Sequence, residues 1–483
     1  MQRTTRGTFA LSLVAASALA LGLAPVAVAR SNPLGATELA QRTVQRRAVE
    51  AVIWGMPAVN FDLMYEATVR AGGGWNQIVY WSRLLDSKNQ TLTPNPDTIY
   101  LMPFIDTEDV GAVVLEIPPA DEGSITGSIM DAWQAALEDV GPAGADKGSG
   151  GRYLILPPGY EGKAPDGYIA LPSDTYTGYA LLRSNLRSGS DADVAKAVAY
   201  GKRIKLYPLS QAGNPPPTSF VDAVGVVYDS TIPYDLRFFR SLDRFVQREP
   251  WLERDKAMID QLAAVGIAKG KPFNPSPQTA GLLEEAAREA HAWLDIRYEA
   301  LFSPPYYDGS RWAVPASPQV LEGQSTLYAK SGVYPVDDRG ATFSMAFFSP
   351  KHLGAGQFYL MTIKDKSGRP FEGGSAYHLA VPSDAPVTLY WSATVYDRVT
   401  HALVRGTPWS SRSSQTPGLQ RNADGSVDLY FGPKAPAGKD SNWVPTEAGG
   451  RFEVLFRFYG PEKALFDKTW RLPDIEKIDR SSR

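Results

Sequence analysis

No cysteine occurs anywhere in the 483 residues. The fold therefore has no disulfide, no thiolate nucleophile and no cysteine ligand for a metal. Histidine is nearly as scarce: His291, His352, His378 and His401 never fall at metal-ligand spacing and no His-Glu-x-x-His run occurs, which removes the usual zinc and iron signatures. His291 and Asp295 lie one helical turn apart, a spacing that more commonly reflects a packed histidine beside a carboxylate than a shared metal. Asp337-Asp338 and Asp424-Gly425 supply too few carboxylates for a calcium loop and read as turns. A Gly-x-Ser-x-Gly elbow is missing, and Gly72-Gly73-Gly74 precedes no helix start able to hold a diphosphate. No metal and no cofactor is expected. Basic residues never cluster, so nucleic acid is not expected as a partner.

What is present begins with an export signature. Arg3 and Arg6 form a basic start, residues 11–23 an apolar run, and Ala27-Val28-Ala29 a small-x-small cleavage site. The run is shorter than the roughly 20 residues a membrane span needs and is diluted by Ser12, Ser17 and Gly22. A periplasmic or secreted protein without a membrane span after signal removal is the expectation. Taking Arg3 and Arg6 from the formal charge of -3 leaves -5, mildly acidic. The 483 residues less the first 29 leave 454, too many for one ordinary core, so stability must come from burial in two or three domains.

The patterning predicts an α+β protein, mainly β. Residues 1–29 are the signal and 30–74 a helical lead-in, where Val49, Val52, Ile53 and Met56 share a face until Pro57 interrupts the helix. Residues 75–217 read as an N-terminal β-sandwich, with β-type runs at 99–105, 112–117, 124–133, 153–156, 168–171 and 179–182 separated by proline and glycine. The triple proline Pro215-Pro216-Pro217 closes it. Residues 218–313 are a helical middle segment, whose longest helix turns Leu283, Ala287, Ala290 and Leu294 inward. Residues 314–483 return to β-runs at 343–348, 357–363, 376–381, 387–395, 427–431 and 451–459, predicting a C-terminal jelly-roll-like sandwich.

The remaining chemistry belongs to carboxylates, amides and aromatics. Asn95-Pro96-Asp97-Thr98-Ile99-Tyr100 sets turn-forming polar residues against the start of an apolar strand. Asp97 and Asp131 fall in adjacent β-runs, where two carboxylates brought close could divide into an acid and a base. Arg183, ending another run, is suited to clamp an anion through its planar fork; an internal salt bridge to one of the aspartates is the favoured structural reading. Trp391 and Trp443 are aromatic platforms or packing residues.

These residues also resemble a known pairing. Asn95 to Tyr100 followed by Val113-Val114-Leu115-Glu116-Ile117-Pro118 resembles the bacterial domain-of-unknown-function family 1254. The run from Leu389 to Asp397, Asn422-Ala423-Asp424-Gly425-Ser426, Asn442-Trp443-Val444-Pro445 and Arg457-Phe458-Tyr459-Gly460-Pro461 are similar to family 1214. The resemblance implies two β-rich domains around a helical segment and no assigned chemistry. It places Asp97, Tyr100, Asp131, Arg183, Trp391, Asn442 and Trp443 within recurring motifs. Where the typical pattern reads Asn-Thr-Asp-Thr, this chain has Asn95-Pro96-Asp97-Thr98, so a threonine hydroxyl is missing.

The leading expectation is an exported, metal-independent enzyme acting on a small organic or carbohydrate-like compound by acid-base hydrolysis or elimination. Asp97, Asp131 and Tyr100 would be catalytic; Asn95, Arg183, Trp391, Asn442 and Trp443 would bind substrate. The alternative is a non-catalytic ligand-binding or assembly protein, and a structural homo-oligomer is a third reading. Substrate, reaction type and the arrangement of the two sandwiches are not legible in the sequence.

Overall fold

The computed structural model describes residues 34–330 and 332–478; the expected signal segment lies outside the described residues. The chain divides into units at 1–40 and 41–483. The described part of the first is the opening of helix α1 (Ala36–Arg70); everything below belongs to the second.

The first half alternates strands with tight turns. Its strands are β1 (Gln77–Tyr80), β2 (Asn89–Gln90), β3 (Ile99–Asp106), β4 (Val113–Ile117), β5 (Ile125–Asp131), β6 (Ala136–Val140), β7 (Gly151–Leu156), β8 (Ile169–Pro172), β9 (Thr177–Ser184), β10 (Lys205–Pro208), β11 (Phe220–Asp222) and β12 (Tyr228–Asp229). Helix α2 (Asp191–Gly201), capped by the Ser190 side chain on the Asp193 amide, follows β9. One sheet runs β11-β1-β3-β9-β5-β6 and the other β10-β4-β7-β8. Between them lie Ile99, Leu101, Ile129 and Leu182 from the first and Val113, Leu115, Tyr153 and Ile155 from the second.

Strand β3 is buried at every position, because the larger sheet is covered on both faces. Its second face, carrying Tyr100, Met102, Phe104, Tyr179 and Leu181, packs in the central core with α1 and with α3 (Leu236–Arg248), α4 (Met258–Ala264), α5 (Pro277–Ala300), α6 (Pro318–Thr326) and α7 (Val336–Met345). Side-chain oxygens of Asp235, Ser276 and Ser317 cap α3, α5 and α6. The four residues expected inward on the longest helix of the middle segment, α5, are all buried.

The last third holds β13 (Gln357–Thr362), β14 (Phe371–Glu372), β15 (Tyr377–Val381), β16 (Val387–Asp397), β17 (Ser411–Ser413), β18 (Val427–Gly432), β19 (Trp443–Pro445), β20 (Arg451–Pro461), the short α8 (Lys463–Phe466) and β21 (Glu476–Lys477). A sheet β13-β20-β16-β17, joined by β14, faces a sheet β19-β18-β15-β21 across Trp391, Phe456, Leu429 and Val444. The outer face of the first of these sheets is polar and aromatic, and it turns towards the central core, where Tyr359, Tyr396 and Leu455 are buried.

Two expectations are corrected. Pro57 does not end α1, which runs on to Arg70; the carbonyl of Ile53, four residues earlier, meets the Cα side of Gly340 on α7, a close approach only glycine allows. Residues 343–345 belong to α7, not to a strand. Phe343 is buried among helices, and a short apolar run reads alike for a buried strand and a buried helix.

Candidate functional site

The segment joining β2 to β3 ties the N-terminal sandwich to the C-terminal one. Proline at 94 and 96 keeps it extended, and Thr93 turns it with φ +39°. The Thr93 amide donates to the His401 carbonyl at 2.7 Å. Tyr396 donates its hydroxyl to the Pro94 carbonyl at 2.6 Å. Arg457 donates through Nη2 to the Thr93 carbonyl at 2.8 Å and through Nη1 to Thr394 Oγ1 at 2.9 Å. Asn95, fully buried, is the node. Its Nδ2 meets the hydroxyls of Tyr390 and Tyr459 at 3.0 Å each, its amide donates to the Tyr100 hydroxyl at 3.0 Å, and its Oδ1 accepts the Asp97 amide at 3.0 Å.

Arg183 stands beside this node. On β9 it is registered against Tyr100 on one side and Thr126 on the other. Its guanidinium carbon lies 5.2 Å from the Tyr100 ring centroid. The residue is 4% exposed, and its Nε and Nη1 are enclosed without a hydrogen-bond partner. The expected salt bridge to an aspartate does not form: Asp131 is registered at the far end of β9, Asp97 lies among other groups, and no ion pair of Arg183 occurs among the described residues. Burial opposes its charge, but the facing oxygens of Tyr100, Tyr459, Tyr359 and Tyr390 outweigh it and hold the guanidinium protonated.

Arg183 and Tyr100 line a cavity of about 30 Å³. One water needs roughly 10–15 Å³, so the chamber accommodates a group of a few atoms. Met64, Trp81, Leu92, Met102, Leu181 and Phe347 give it apolar wall, and Asn89, Thr91 and Thr93 give it polar wall. A cation without a counter-ion in a small enclosed chamber is suited to receive a small anion.

Asp97 turns elsewhere. Its Oδ2 is enclosed and unpaired although the residue is partly exposed. Burial pushes its carboxyl above the ordinary range, opposed by the Ser411 hydroxyl, by Arg457 and Arg412, and by Ser413. It lines a separate pocket.

Asp131 does not join it. Asp131 is registered beside Gly178 while Arg183 is beside Thr126, five positions along β9, or roughly 17 Å at about 3.4 Å per residue. Its Oδ1 accepts the Ala135 amide at 2.8 Å. Burial lifts its carboxyl to about 6 against the pull of that amide and of Arg254 and Arg339. Asp97 and Asp131 therefore have disjoint surroundings and form no carboxylate pair.

The C-terminal candidates are internal to their own sandwich. Trp391 stacks on Phe456 at 5.4 Å in its core. Asn442 spends its amide on the Gln420 and Asp428 carbonyls and the Gln420 amide. Trp443 donates to the Gly432 carbonyl and meets Trp409 edge-on. None of the three lines the Arg183 chamber.

Sequence reasoning passed over Tyr359, Tyr390, Tyr459 and Arg457. A signal existed: in β16, Tyr390, Ser392, Thr394 and Tyr396 alternate with Trp391, Ala393 and Val395, which predicts one polar face and one core face. Among the described residues no group of three His, Cys, Asp or Glu side chains could hold a metal ion, and no helix is long and apolar enough to cross a membrane.

Fold and site thus describe an α+β protein in which two β-rich domains and a helical layer enclose a buried arginine. Residues 75–208 match the family described as a protein of unknown function, DUF1254, and residues 356–463 match a second protein of unknown function, DUF1214; the chain belongs to the proteins that carry this pair in this order. It is similar in fold to the crystal structure of the VPA0106 protein from Vibrio parahaemolyticus, at 17% identity and TM-score 0.56, covering 90% of this chain and 100% of that one. A putative uncharacterized protein from Burkholderia cenocepacia aligns at 10% identity and TM-score 0.40, covering 91% and 94%. No curated protein matches the chain.

Proposed function

We propose that the protein is an exported binding protein for a small organic anion, whose carboxylate-sized head sits against Arg183. The observation that carries this reading is the guanidinium with two enclosed, unpartnered nitrogens on a residue that lines a small cavity. Buried cations ordinarily find a carboxylate, and a ligand anion would supply the missing one. Tyr100, which lines the same cavity, would orient that head through its hydroxyl. Export to the periplasm or beyond is supported by the basic and apolar start of the sequence; mass spectrometry of the native N-terminus tests it.

Calorimetric titration of the mature protein with formate, acetate, propionate, phosphate and sulfate tests the binding. A saturable carboxylate isotherm is expected, weakened by roughly a hundredfold in Arg183→Met, the loss of about two charge-assisted hydrogen bonds. Arg183→Lys keeps the charge without the fork and should fall between. If none of these anions binds, the reading is wrong.

A second reading, hydrolysis or elimination by acid-base chemistry, is favoured by one observation: Asp97 is a carboxyl raised by burial, the direction that suits a proton donor. Under it Asp97→Asn would abolish turnover of an identified substrate and Asp131→Asn, remote from Arg183, would not.

A further inference from the structure

We infer that the pocket lined by Asp97, Arg412 and Gln415 is a second binding site, taking a neutral polyhydroxylated compound of the sugar or polyol class. This pocket has about 300 Å³ clear to a water-sized sphere, against about 30 Å³ in the Arg183 chamber. It lies between the Pro96–Asp97 turn of the N-terminal half and residues 408–417 of the C-terminal half. Neither Arg183 nor Tyr100 lines it, and the two cavities share only Leu85.

Three enclosed polar atoms on its lining residues have no partner: Asp97 Oδ2, Arg412 Nε and Gln415 Oε1. Their neighbours are already committed. Arg412, 7% exposed, gives Nη1 to the Ser411 carbonyl and Nη2 to the Asp440 carbonyl, at 3.0 and 2.9 Å. Gln415 gives Nε2 to the Leu186 carbonyl at 2.9 Å. What is left over is one guanidinium donor, the Asp97 carboxyl and one amide oxygen, with the exposed carboxylate of Asp86 on the same lining.

That set selects the ligand. A carboxylate or phosphate would face Asp86, Asp97 and the Gln415 oxygen; an ammonium would face Arg412. A hydroxyl both donates and accepts, so adjacent hydroxyls can satisfy acceptor and donor together without bringing a charge of their own. Trp409 adds an apolar ring surface to the same lining. Its orientation is held by the Arg412 guanidinium 4.2 Å from its centroid and by its own Nε1 donating to the Trp443 carbonyl at 2.8 Å. The C–H face of a pyranose packs on such a ring.

The test is calorimetric titration of the mature protein with glucose, mannitol and trehalose, with acetate and ethylammonium as charged probes. At least one neutral compound should bind saturably at millimolar concentration. Binding should weaken roughly tenfold or more in Arg412→Met and in Gln415→Ala, each removing one buried hydrogen bond, and should be unchanged in Arg183→Met. Gln415→Ala, which alters one side chain at the pocket edge, guards against misfolding of Arg412→Met; circular dichroism checks both. The inference is overturned if none of the three neutral compounds binds, if their binding survives both variants, or if a charged probe binds here in preference. Because Arg183→Met separates the sites, failure here and failure of the anion reading are distinguishable.

Discussion

Replacing Arg183 by methionine should stabilise the protein when no anion is present. Its Nε and Nη1 are enclosed and unpaired, and each donor withheld from water in this way costs about 1–3 kcal/mol. Against that stands the contact with the Tyr100 ring, 5.2 Å from the guanidinium carbon; a desolvated cation–π contact contributes about 2 kcal/mol. Methionine retains an unbranched stem for the apolar walls. The balance is a gain of about 2 kcal/mol. Acetate at about a hundred times its dissociation constant should stabilise the parent protein by about 2.7 kcal/mol and leave the variant unmoved. Urea denaturation followed by tryptophan fluorescence reads both effects. A variant less stable than the parent by more than about 1 kcal/mol without anion would mean that Arg183 holds the fold together and is not kept for a ligand.

Asp131, with its carboxyl lifted to about 6 by burial, makes stability fall as pH rises. Between about pH 4 and 6 the folded state keeps a proton that the unfolded chain has lost, at about 1.4 kcal/mol per pH unit. Urea midpoints across that interval should slope downward less in Asp131→Asn than in the parent, because Glu249, lifted to about 7 by burial, keeps a slope of its own; equal slopes would remove Asp131 as a cause. Trp391→Ala should lose about 3–5 kcal/mol as a core truncation, with ligand affinity unchanged among the molecules still folded; a selective loss of affinity would return Trp391 to the site. Gly340→Ala puts a methyl 2.9 Å from the Ile53 carbonyl oxygen and 3.2 Å from Leu294 Cδ2, so thermal melting should show a destabilisation of about 1–3 kcal/mol. No change would show that α1 and α7 can separate freely.

Most of the strands were legible because they obey local rules. The runs at 99–105, 179–182, 427–431 and 451–459 lie within β3, β9, β18 and β20, each bounded by proline, glycine or polar turns. Less visible were β1 and β10, four residues each, and α2, an eleven-residue helix in which only Val194, Ala197, Tyr200 and Gly201 are buried. The site was half visible. Asn95, Asp97, Tyr100 and Arg183 lie in or beside the strongest local motif and its neighbouring strand. Tyr390 and Tyr459, the partners of Asn95, come from 295 and 364 residues further along the chain, a pairing that no local periodicity carries. Asp131 was misplaced because runs that are near in sequence need not pair: β9 lies between β3 and β5, and Asp131 sits at the end of β9 away from the start of β3.

Arg183 and Arg457 make a controlled comparison within one interface. Both are buried, and neither has a carboxylate beside it among the described ion pairs. Arg457, however, is satisfied by the Thr93 and Pro94 carbonyls, by Thr394 and by Tyr396. Those acceptors depend on it in turn: with Arg457→Met the Thr93 carbonyl and Thr394 Oγ1 would be left without its donors, at about 1–3 kcal/mol each. The tie between the β2–β3 segment and β20 would weaken with them. Arg457→Met should therefore cost about 2–5 kcal/mol, opposite in sign to Arg183→Met, although the exchange is chemically identical. Urea curves for the two variants, recorded side by side without anion, test that contrast. Equal shifts in the same direction would show that hydrogen-bond satisfaction does not decide what these buried arginines contribute, and the case for a ligand at Arg183 would lose its physical basis.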